Sequence, residues 1–388
     1  MKFAERAQQL RPSLTLAISA KARDLQQQGE DVCSLSTGEP DFATPSFICR
    51  AAEEAMGAGH TRYGPAAGEP ALREAIANKL QQDNKLTYGP GEIMVSNGAK
   101  QALYTLFQVL LDPGDEVILP APYWLSYPPM VHLAGGRSVI VPTRQEENHQ
   151  LGATALAAAI TPRTRLLVLN SPTNPTGTVY PEQALAELAS VLRQHPQVAV
   201  VSDEIYEYIL YDHNRHVSFG AVAPDLAERT FVVNGFSKNW AMTGWRLGYL
   251  AGPQPVLGKA VALQSQSTSN VCSFVQYGGL AALNGSRECV HTMVAAFAQR
   301  RRLVLQAMAS MEHVHGLEPQ GAFYAFLNIA ATKLGSVVFC ERLLAEAGVA
   351  IVPGAAFGDD HTVRLSFATD MATLKHGLER LQTFLTGL

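Results

Sequence analysis

Residues 234–248 read NGFSKNWAMTGWRLG, and the interpretation of the whole chain starts from this stretch. It follows the apolar run FVV at 231–233, which is typical of a buried strand. Lys238 lies among small residues just after that run, and Arg246 follows eight positions later. A lysine amine forms Schiff bases when its surroundings lower its pKa, and an arginine suits an anionic phosphate. Alone, the stretch suggests a cofactor lysine, with a solvated loop lysine as the alternative.

The same stretch resembles the pyridoxal-phosphate attachment signature of the class I aminotransferases. The matching residues are Gly235-Phe236-Ser237-Lys238, Ala241-Met242 and Gly244-Trp245-Arg246-Leu247-Gly248. Further family motifs follow in order along nearly the whole chain, which is most similar to the bacterial aspartate aminotransferases of that family. The resemblance implies an enzyme of fold type I that uses pyridoxal 5′-phosphate to move an amino group from an L-amino acid to a 2-oxo acid.

Short apolar strands alternate with helices through the middle of the chain, which predicts a mostly parallel α/β sheet. Three of these strands, predicted at 165–169, 197–202 and 231–233, are each followed by polar residues. Because ligands bind beyond the carboxyl ends of such strands, we expect one pocket to gather those residues. The resemblance adds that the sheet has seven strands flanked by helices.

The predicted secondary structure changes after about residue 285, where a long helix, 288–310, is followed by short strands and helices. This predicts a smaller α+β domain. We expect residues 46–285 to form the large cofactor-binding domain. Residues 1–45 and 286–388 are expected to form the small domain.

Composition excludes several classes of protein. With 388 residues, 47% hydrophobic and 16% charged, the chain fits a globular enzyme and not a disordered or coiled-coil protein. A net charge of −4 without a basic patch argues against nucleic-acid binding, and no apolar run reaches membrane-spanning length. Five scattered cysteines without CxxC pairing and 11 histidines without ligand spacing predict a reducing compartment and no metal site. Because the N-terminus lacks a signal-peptide pattern, we expect a cytoplasmic protein.

The segment Gly98-Ala99-Lys100 opens a predicted helix directly after the strand IMVSN. Backbone N–H groups and the helix dipole make such an end an anion site, although most strand–turn–helix units bind nothing. The resemblance implies that this segment cradles the cofactor phosphate together with Ser237 and Arg246.

The loop TRYGPAAG contains Tyr63. Its residues alone favour a tyrosine that packs locally. In the family, however, a tyrosine at this position reaches the phosphate of the partner subunit, so the resemblance implies a homodimer with shared active sites.

Four positions match the family's contacts to the pyridine ring. The resemblance implies that Trp124 stacks on the ring, that Asn174 and Tyr206 bond its phenolate oxygen, and that Asp203 faces its nitrogen. A carboxylate there keeps the nitrogen protonated, and the protonated ring is an electron sink. Core packing for Trp124 and helix capping for Asp203 are the alternatives.

A lone arginine, Arg364, lies in the apolar strand HTVRLSFA and needs a partner if it is buried. The resemblance implies that it binds the substrate α-carboxylate, as a planar fork suits a carboxylate. Gly38 matches a backbone contact to that carboxylate, where a side chain would obstruct close approach. Asn174 and Trp124 are also expected to contact substrate.

Recognition of a distal carboxylate is implied for Lys100, Ser13 and Thr15. The alternatives are a surface lysine on a helix and a helix N-cap at Ser13 or Thr15. Relatives with the same lysine and threonine also act on prephenate, so a dual activity is open.

The implied mechanism makes Lys238 the catalytic Schiff-base lysine, supported by Asp203 and Tyr206. The freed amine would move a proton between the substrate α-carbon and the cofactor C4′, and two half-reactions predict ping-pong kinetics. Aspartate or glutamate is the expected amino donor.

Other functions remain as alternatives. In the same fold, the chain could be a prephenate, aromatic, kynurenine or alanine aminotransferase, or a β-lyase. A ligand-binding regulator without turnover is disfavoured because Lys238 and Asp203 are both present and we expect no DNA-binding domain ahead of the first helix. A Rossmann dehydrogenase is disfavoured because no G-x-G-x-x-G opens a predicted βαβ unit.

Overall fold

The structure is a computed structural model that describes residues 2–8, 10 and 14–388, without the side chains of 14–16 and 19. Its helices are α1 (Glu5–Gln8), α2 (Leu14–Gln27), α3 (Ser46–Gly57), α4 (Pro70–Asn84), α5 (Ala99–Leu110), α6 (Tyr127–Leu133), α7 (Ala153–Ala159), α8 (Glu182–Arg193), α9 (Phe219–Val222), α10 (Gln254–Ser267), α11 (Ser273–Asn284), α12 (Glu288–Ser310), α13 (Ser336–Ala347) and α14 (Met371–Thr386). None of these described helices has both the length and the apolar character needed to cross a membrane.

Its strands are β1 (Cys33–Ser34), β2 (Ile93–Ser96), β3 (Glu116–Ala121), β4 (Arg137–Pro142), β5 (Thr164–Asn170), β6 (Ala199–Asp203), β7 (Thr230–Gly235), β8 (Gly248–Ala251), β9 (His315–Gly316), β10 (Tyr324–Asn328), β11 (Val349–Ala350), β12 (Val352–Pro353) and β13 (Thr362–Ser366).

The largest sheet has seven strands in the order β2-β8-β7-β6-β5-β3-β4. Strand β8 runs antiparallel to both of its neighbours, and the other pairs are parallel. Along β5, Leu166 and Val168 pack into one apolar cluster while Leu167 and Leu169 pack into another. Helices therefore cover both faces of the sheet, which explains the continuous apolar runs. The predicted seven-stranded, mostly parallel α/β sheet is confirmed.

The remaining strands form two small sheets. One is antiparallel, in the order β12-β13-β10-β9, and in the other β1 pairs in parallel with β11. Ile351 separates two short strands, β11 and β12, that belong to different sheets. Helix α12 contributes Val290 to a cluster on the large sheet and Phe297 to the cluster around the small sheets. The division of the chain near residues 45 and 285 stays a prediction.

Three neighbouring parallel strands end where polar residues begin. Strand β5 ends at Asn170, β6 ends at Asp203, and β7 ends three residues before Lys238. Because these strands run in the same direction, their carboxyl ends lie at one edge of the sheet. The fold therefore brings the distant motifs of the sequence together.

Candidate active site

A cavity of about 420 Å³ opens at this edge of the sheet. Its lining includes eleven of the residues selected from the sequence: Gly38, Ala99, Lys100, Trp124, Asn174, Asp203, Tyr206, Ser237, Lys238, Arg246 and Arg364. These residues come from positions more than 300 apart in the chain, with Asp203 at the end of β6 in the large sheet and Arg364 on β13 in a small sheet.

The other selected residues differ in their placement. Gly98 does not line the cavity but directly precedes α5 beside it. Tyr63 is 91% exposed and is absent from the lining, so within one chain it does not reach the cavity. Ser13 and the side chain of Thr15 lie outside the described residues.

Lys238 is half-buried and points its amine into the cavity. Its Nζ donates to the carbonyl oxygen of Gly38 at 2.5 Å and lies 6.0 Å from the centre of the Tyr206 ring. Burial lowers the pKa of Lys238 to about 8, and three nearby cations act in the same direction against the opposing effect of Glu39. An amine with this pKa is available as a nucleophile and base near neutral pH.

Asp203 lines the cavity and is 4% exposed. Its Oδ2 accepts a hydrogen bond from the hydroxyl of Tyr127 at 2.7 Å, and the N–H of Ile205 lies 3.4 Å from Oδ1. Burial raises the pKa of Asp203 to about 6, and the hydrogen bonds oppose this rise. A buried carboxylate of this kind is suited to pair with a cationic ring nitrogen.

The start of α5 faces the guanidinium group of Arg246. Gly98 precedes the helix with φ of 83°, and a Cβ atom there would lie 2.4 Å from Nη2 of Arg246. Only glycine therefore fits this position. Arg246 donates to the carbonyl oxygens of Thr243 at 2.9 Å and Asn97 at 3.3 Å. With the hydroxyl of Ser237 in the same lining, these donors fit a phosphate group.

Arg364 is 2% exposed and lies on β13 at the opposite side of the cavity from the large sheet. It donates through Nη1 to Oδ1 of Asn174 at 3.0 Å and through Nη2 to the carbonyl of Ser36 at 2.9 Å. Its Cζ lies 4.3 Å from the ring centre of Tyr324 and 5.1 Å from that of Phe357. Among the described residues, its buried Nε–H has no acceptor. Because buried donors are nearly always bonded, this group fits a carboxylate ligand.

Lys100 and Trp124 form the more open side of the cavity. Lys100 is exposed, and its Nζ lies 5.0 Å from the ring centre of the half-buried Trp124. Trp124 packs against an apolar cluster of the large sheet and also lines the cavity. The ammonium group of Lys100 is therefore within the reach of a negative group on a bound molecule.

Sequence reasoning missed several residues of the lining. Tyr127, Asn170, Thr243 and Tyr324 all line the cavity, but the sequence pattern predicts no role for them. Asn170 binds the backbone oxygen of Asp203 at 2.9 Å. A signal did exist for Tyr324, since a hydroxyl in an otherwise apolar strand raises the same question as the lone arginine in HTVRLSFA.

A second cluster of buried polar groups involves Glu204, the residue after Asp203. Ligand-type atoms of Glu204, Glu207 and His216 lie within 4.8 Å of one another. The ammonium group of Lys79, however, bonds to Glu207 and also to Oδ1 of Asn84 at 2.7 Å. A lysine thus supplies the cation at this cluster.

Taken together, the cavity fits the cofactor and substrate that the resemblance implies. It holds a lysine with a lowered pKa, a buried carboxylate, a helix start that faces an arginine, and, among the described residues, a buried arginine N–H without an acceptor. The volume accommodates a small cofactor with a small acid beside it.

Comparison with known proteins identifies the family of the chain. The family model for aminotransferase class I and II matches residues 30–381. The aspartate aminotransferase of Geobacillus stearothermophilus is 46% identical over 99% of both chains. The aspartate/prephenate aminotransferase of Nitrosomonas europaea is 43% identical over 100% of both.

Solved structures give the same result. The aspartate aminotransferase of Thermus thermophilus with maleate superposes with a TM-score of 0.95 at 44% identity, covering 99% of this chain and 100% of that one. The enzyme from Rhizobium meliloti also has a TM-score of 0.95, at 40% identity and with 99% and 98% covered. The chain therefore belongs to the class I and II aminotransferases, and its cofactor is pyridoxal 5′-phosphate.

Proposed function

We propose that this aminotransferase takes the amino group of L-aspartate or L-glutamate and passes it to a 2-oxo acid. The observation that supports the choice of a dicarboxylate is the charge of the cavity. Among the described residues, Lys100, Lys238, Arg246 and Arg364 line it, against the single carboxylate of Asp203. One cation serves the phosphate and one the reacting amine, so two remain for a substrate with two carboxylates.

Arg364 and Lys100 would divide the substrate between them. Arg364 is buried and held by Asn174 and Ser36, which suits the α-carboxylate common to all amino acids. Lys100 is exposed at the rim, which suits the distal carboxylate that only some amino acids carry. Ser13 and Thr15 remain candidates for the same distal group.

The cofactor would be held by the residues that the sequence identified. Gly98, Ala99, Ser237 and Arg246 would bind its phosphate, and Asp203 its ring nitrogen. Asn174 and Tyr206 would bond its phenolate oxygen, and Trp124 would cover the ring. When bound, the cofactor supplies an electron sink for the negative charge that develops at the substrate α-carbon.

Lys238 would move the proton. Its Nζ takes the proton from the α-carbon as a general base, for which the pKa of about 8 is well matched to neutral pH. Arg364 and Asn174 hold the carboxylate so that the C–H bond faces this amine.

We also propose that the chain works as a homodimer with shared sites. Tyr63 is 91% exposed and does not line the cavity of its own chain, so its side chain is available to a partner subunit. A phosphate contact across a subunit interface would explain that exposure. We further propose a cytoplasmic location, since the five cysteines are free thiols.

Prephenate is a second candidate amino acceptor. It carries two carboxylates, so the same pair of cations could hold it, and the relative from Nitrosomonas europaea is named for both substrates. The amino donor and the catalytic residues would be unchanged.

The first experiment is an absorbance spectrum of the cofactor-loaded enzyme before and after addition of L-aspartate without any oxo acid. Conversion of the visible band to the shorter-wavelength pyridoxamine phosphate form is the expected result. If the enzyme is coloured but its spectrum does not respond to aspartate, its amino donor is a different amino acid. Later addition of oxaloacetate, 2-oxoglutarate or prephenate identifies the acceptor.

The second experiment tests the distal contact with Lys100→Ala. Loss of a charged hydrogen bond should lower kcat/KM for aspartate by about 10- to 100-fold and leave alanine turnover nearly unchanged. Lys259→Ala removes another exposed helical lysine, in α10, and is the matched control. Equal losses on aspartate and alanine would contradict the assignment.

A further inference from the structure

Tyr324 contacts two residues on which the proposed function depends. It is fully buried in β10 and lines the cavity between them. Its hydroxyl lies 2.9 Å from that of Tyr206, and Cζ of Arg364 lies 4.3 Å from its ring centre. One side chain thus contacts both the group next to the cofactor oxygen and the group next to the substrate carboxylate.

Strand pairing determines this position. In the β10–β13 pair, Phe326 lies opposite Arg364 and Tyr324 lies opposite Ser366. Tyr324 and Phe326 therefore project on the same face, and Tyr324 is the diagonal neighbour of Arg364. The ring reaches the guanidinium group through the regular geometry of the sheet.

The pair of hydroxyls has only two protons to share. Each tyrosine hydroxyl carries one proton and accepts through its oxygen. If Tyr206 donates its proton to the cofactor oxygen, it has none left for Tyr324. Tyr324 must then be the donor in the 2.9 Å contact, and its donation increases the acidity and donor strength of the Tyr206 hydroxyl.

The contact between the Tyr324 ring and Arg364 orients the guanidinium group. The guanidinium group lies between the rings of Tyr324 and Phe357, with Cζ distances of 4.3 and 5.1 Å. A guanidinium plane that stacks on an aromatic face keeps its N–H groups in the plane for other acceptors. Two of these N–H groups already bond to Asn174 and to the carbonyl of Ser36, which fixes the plane of the guanidinium group.

We propose that Tyr324 is a positioning residue with two separable actions. Its hydroxyl directs the proton of Tyr206 toward the cofactor, and its ring orients Arg364 for the substrate carboxylate. The inference rests on the function proposed above and assigns Tyr324 a role in both binding steps.

Two variants separate the two actions. Tyr324→Phe removes the hydroxyl and keeps the ring, whereas Tyr324→Leu removes both. The effect of the Tyr324 hydroxyl is measured as a shift in the pH midpoint of the visible absorbance change of the cofactor-loaded enzyme. The effect of the Tyr324 ring is measured as a change in the dissociation constant of maleate, a dicarboxylate that cannot donate an amino group. Tyr211→Phe is the matched control, since it removes another buried tyrosine hydroxyl, bonded to the carbonyl of Ala322 outside the cavity.

In Tyr324→Phe we expect the spectral midpoint to rise by about half a pH unit, because a weaker Tyr206 donor stabilises the cofactor oxyanion less. Maleate binding should stay within about twofold. In Tyr324→Leu the midpoint should rise similarly and the maleate dissociation constant by about tenfold or more. Adding Tyr324→Phe to Tyr206→Phe should cause no further shift.

Two results would overturn the inference. One is an unchanged spectral midpoint in Tyr324→Phe, and the other is maleate binding weakened equally by Phe and Leu. Neither depends on Tyr324→Leu folding well, because the first is measured in Tyr324→Phe alone. Failure of the proposed function would instead be visible in the unmodified chain, as a protein without a visible band or without a response to aspartate.

Discussion

The hydroxyl of Tyr127 donates to Oδ2 of Asp203 at 2.7 Å, and both residues line the cavity. The ring of Tyr127 meets that of Trp124 edge to face, with centres 5.3 Å apart. The same side chain therefore supports the carboxylate and the aromatic wall. Burial favours the protonated form of Asp203, and the Tyr127 hydrogen bond opposes it.

Tyr127→Phe should shift the acid limb of the kcat/KM profile. Without the donor, the pKa of Asp203 rises further, so the required carboxylate is lost at a higher pH. We expect a shift of about 0.5 to 1 pH unit toward neutrality. A pH–rate profile with Tyr211→Phe as the control measures it, and an unchanged acid limb would show that Tyr127 does not influence the carboxylate.

The cofactor-free protein should lose stability as pH rises toward 6. The pKa of Asp203 is raised from its ordinary 3.8 to about 6, so the folded chain binds more protons than the unfolded chain between these values. Folding is then disfavoured as pH rises through this window. Thermal unfolding from pH 4 to 7 tests this, and Asp203→Asn should remove this part of the dependence. Equal curves for both proteins would contradict the raised pKa.

Lys238 should be the most reactive lysine near pH 8. Its pKa of about 8 leaves a large fraction of amine uncharged, whereas exposed lysines stay protonated. Borohydride reduction of the cofactor-loaded enzyme, followed by peptide mass mapping, should label Lys238 and spare Lys259. Lys238→Arg should lack the visible band and lose at least about 10³-fold in kcat. Labelling spread evenly over the lysines would refute the assignment.

His216 should stabilise the protein most below neutral pH. Its ring is buried, which favours the neutral form, but Nε2 lies 3.0 Å from Oε2 of Glu204 and this carboxylate raises the pKa of His216 above 6.5. The contribution is complete below 6.5 and is lost as pH rises through the raised value.

Glu204 shows the opposite dependence. Burial raises its pKa, but His216 and hydroxyl donors outweigh burial and hold the pKa below its ordinary 4.5. Its contribution is present above 4.5 and is lost as pH falls through the lowered value. The pair should therefore stabilise the fold best between about 4.5 and 6.5.

Unfolding of His216→Gln from pH 5 to 9 tests this window. We expect a loss of roughly 1–3 kcal/mol near pH 6, and a smaller loss at pH 9. His291→Gln changes an exposed histidine 4.0 Å from Glu288 and should have no measurable effect. A difference that grows with pH would contradict the charged state of His216.

Shared sites can be tested by mixing two defective chains. Tyr63→Ala should weaken cofactor binding by about tenfold, and Lys238→Ala should abolish covalent retention. In a mixed dimer, one site would combine the intact Lys238 of one chain with the intact Tyr63 of the other. In co-expressed mixtures, that site should bind the cofactor with normal affinity. A mixture that shows only the affinities of the two variants by themselves would refute a Tyr63 contact across the subunit interface.

Much of the candidate site could be predicted from the sequence because each motif is local. Asn174, Asp203 and Lys238 follow apolar strands within a few residues, and the parallel sheet brings such strand ends together. Gly98 was found for a similar reason, since a strand, a glycine and a helix follow one another without interruption. The family resemblance predicted what each residue does, and the local pattern of strands and turns predicted where in the fold it lies.

Other features needed the fold. The contact between Tyr324 and Arg364 depends on the register of β10 against β13, which no local pattern specifies. The charged cluster of Lys79 and Glu207 joins residues 128 positions apart. The separation of β11 from β12 at Ile351 also follows from sheet membership and not from propensity.

The sequence by itself determined which groups are chemically available: a lysine in a crowded turn, a carboxylate after a strand and an arginine inside one. Only the tertiary structure decided their charge states and partners. Burial depends on what packs from elsewhere in the chain, and burial is the main cause that lowers the pKa of Lys238 and raises that of Asp203. The buried, unpaired Nε–H of Arg364 is likewise a consequence of packing, because the described chain surrounds it without supplying an acceptor.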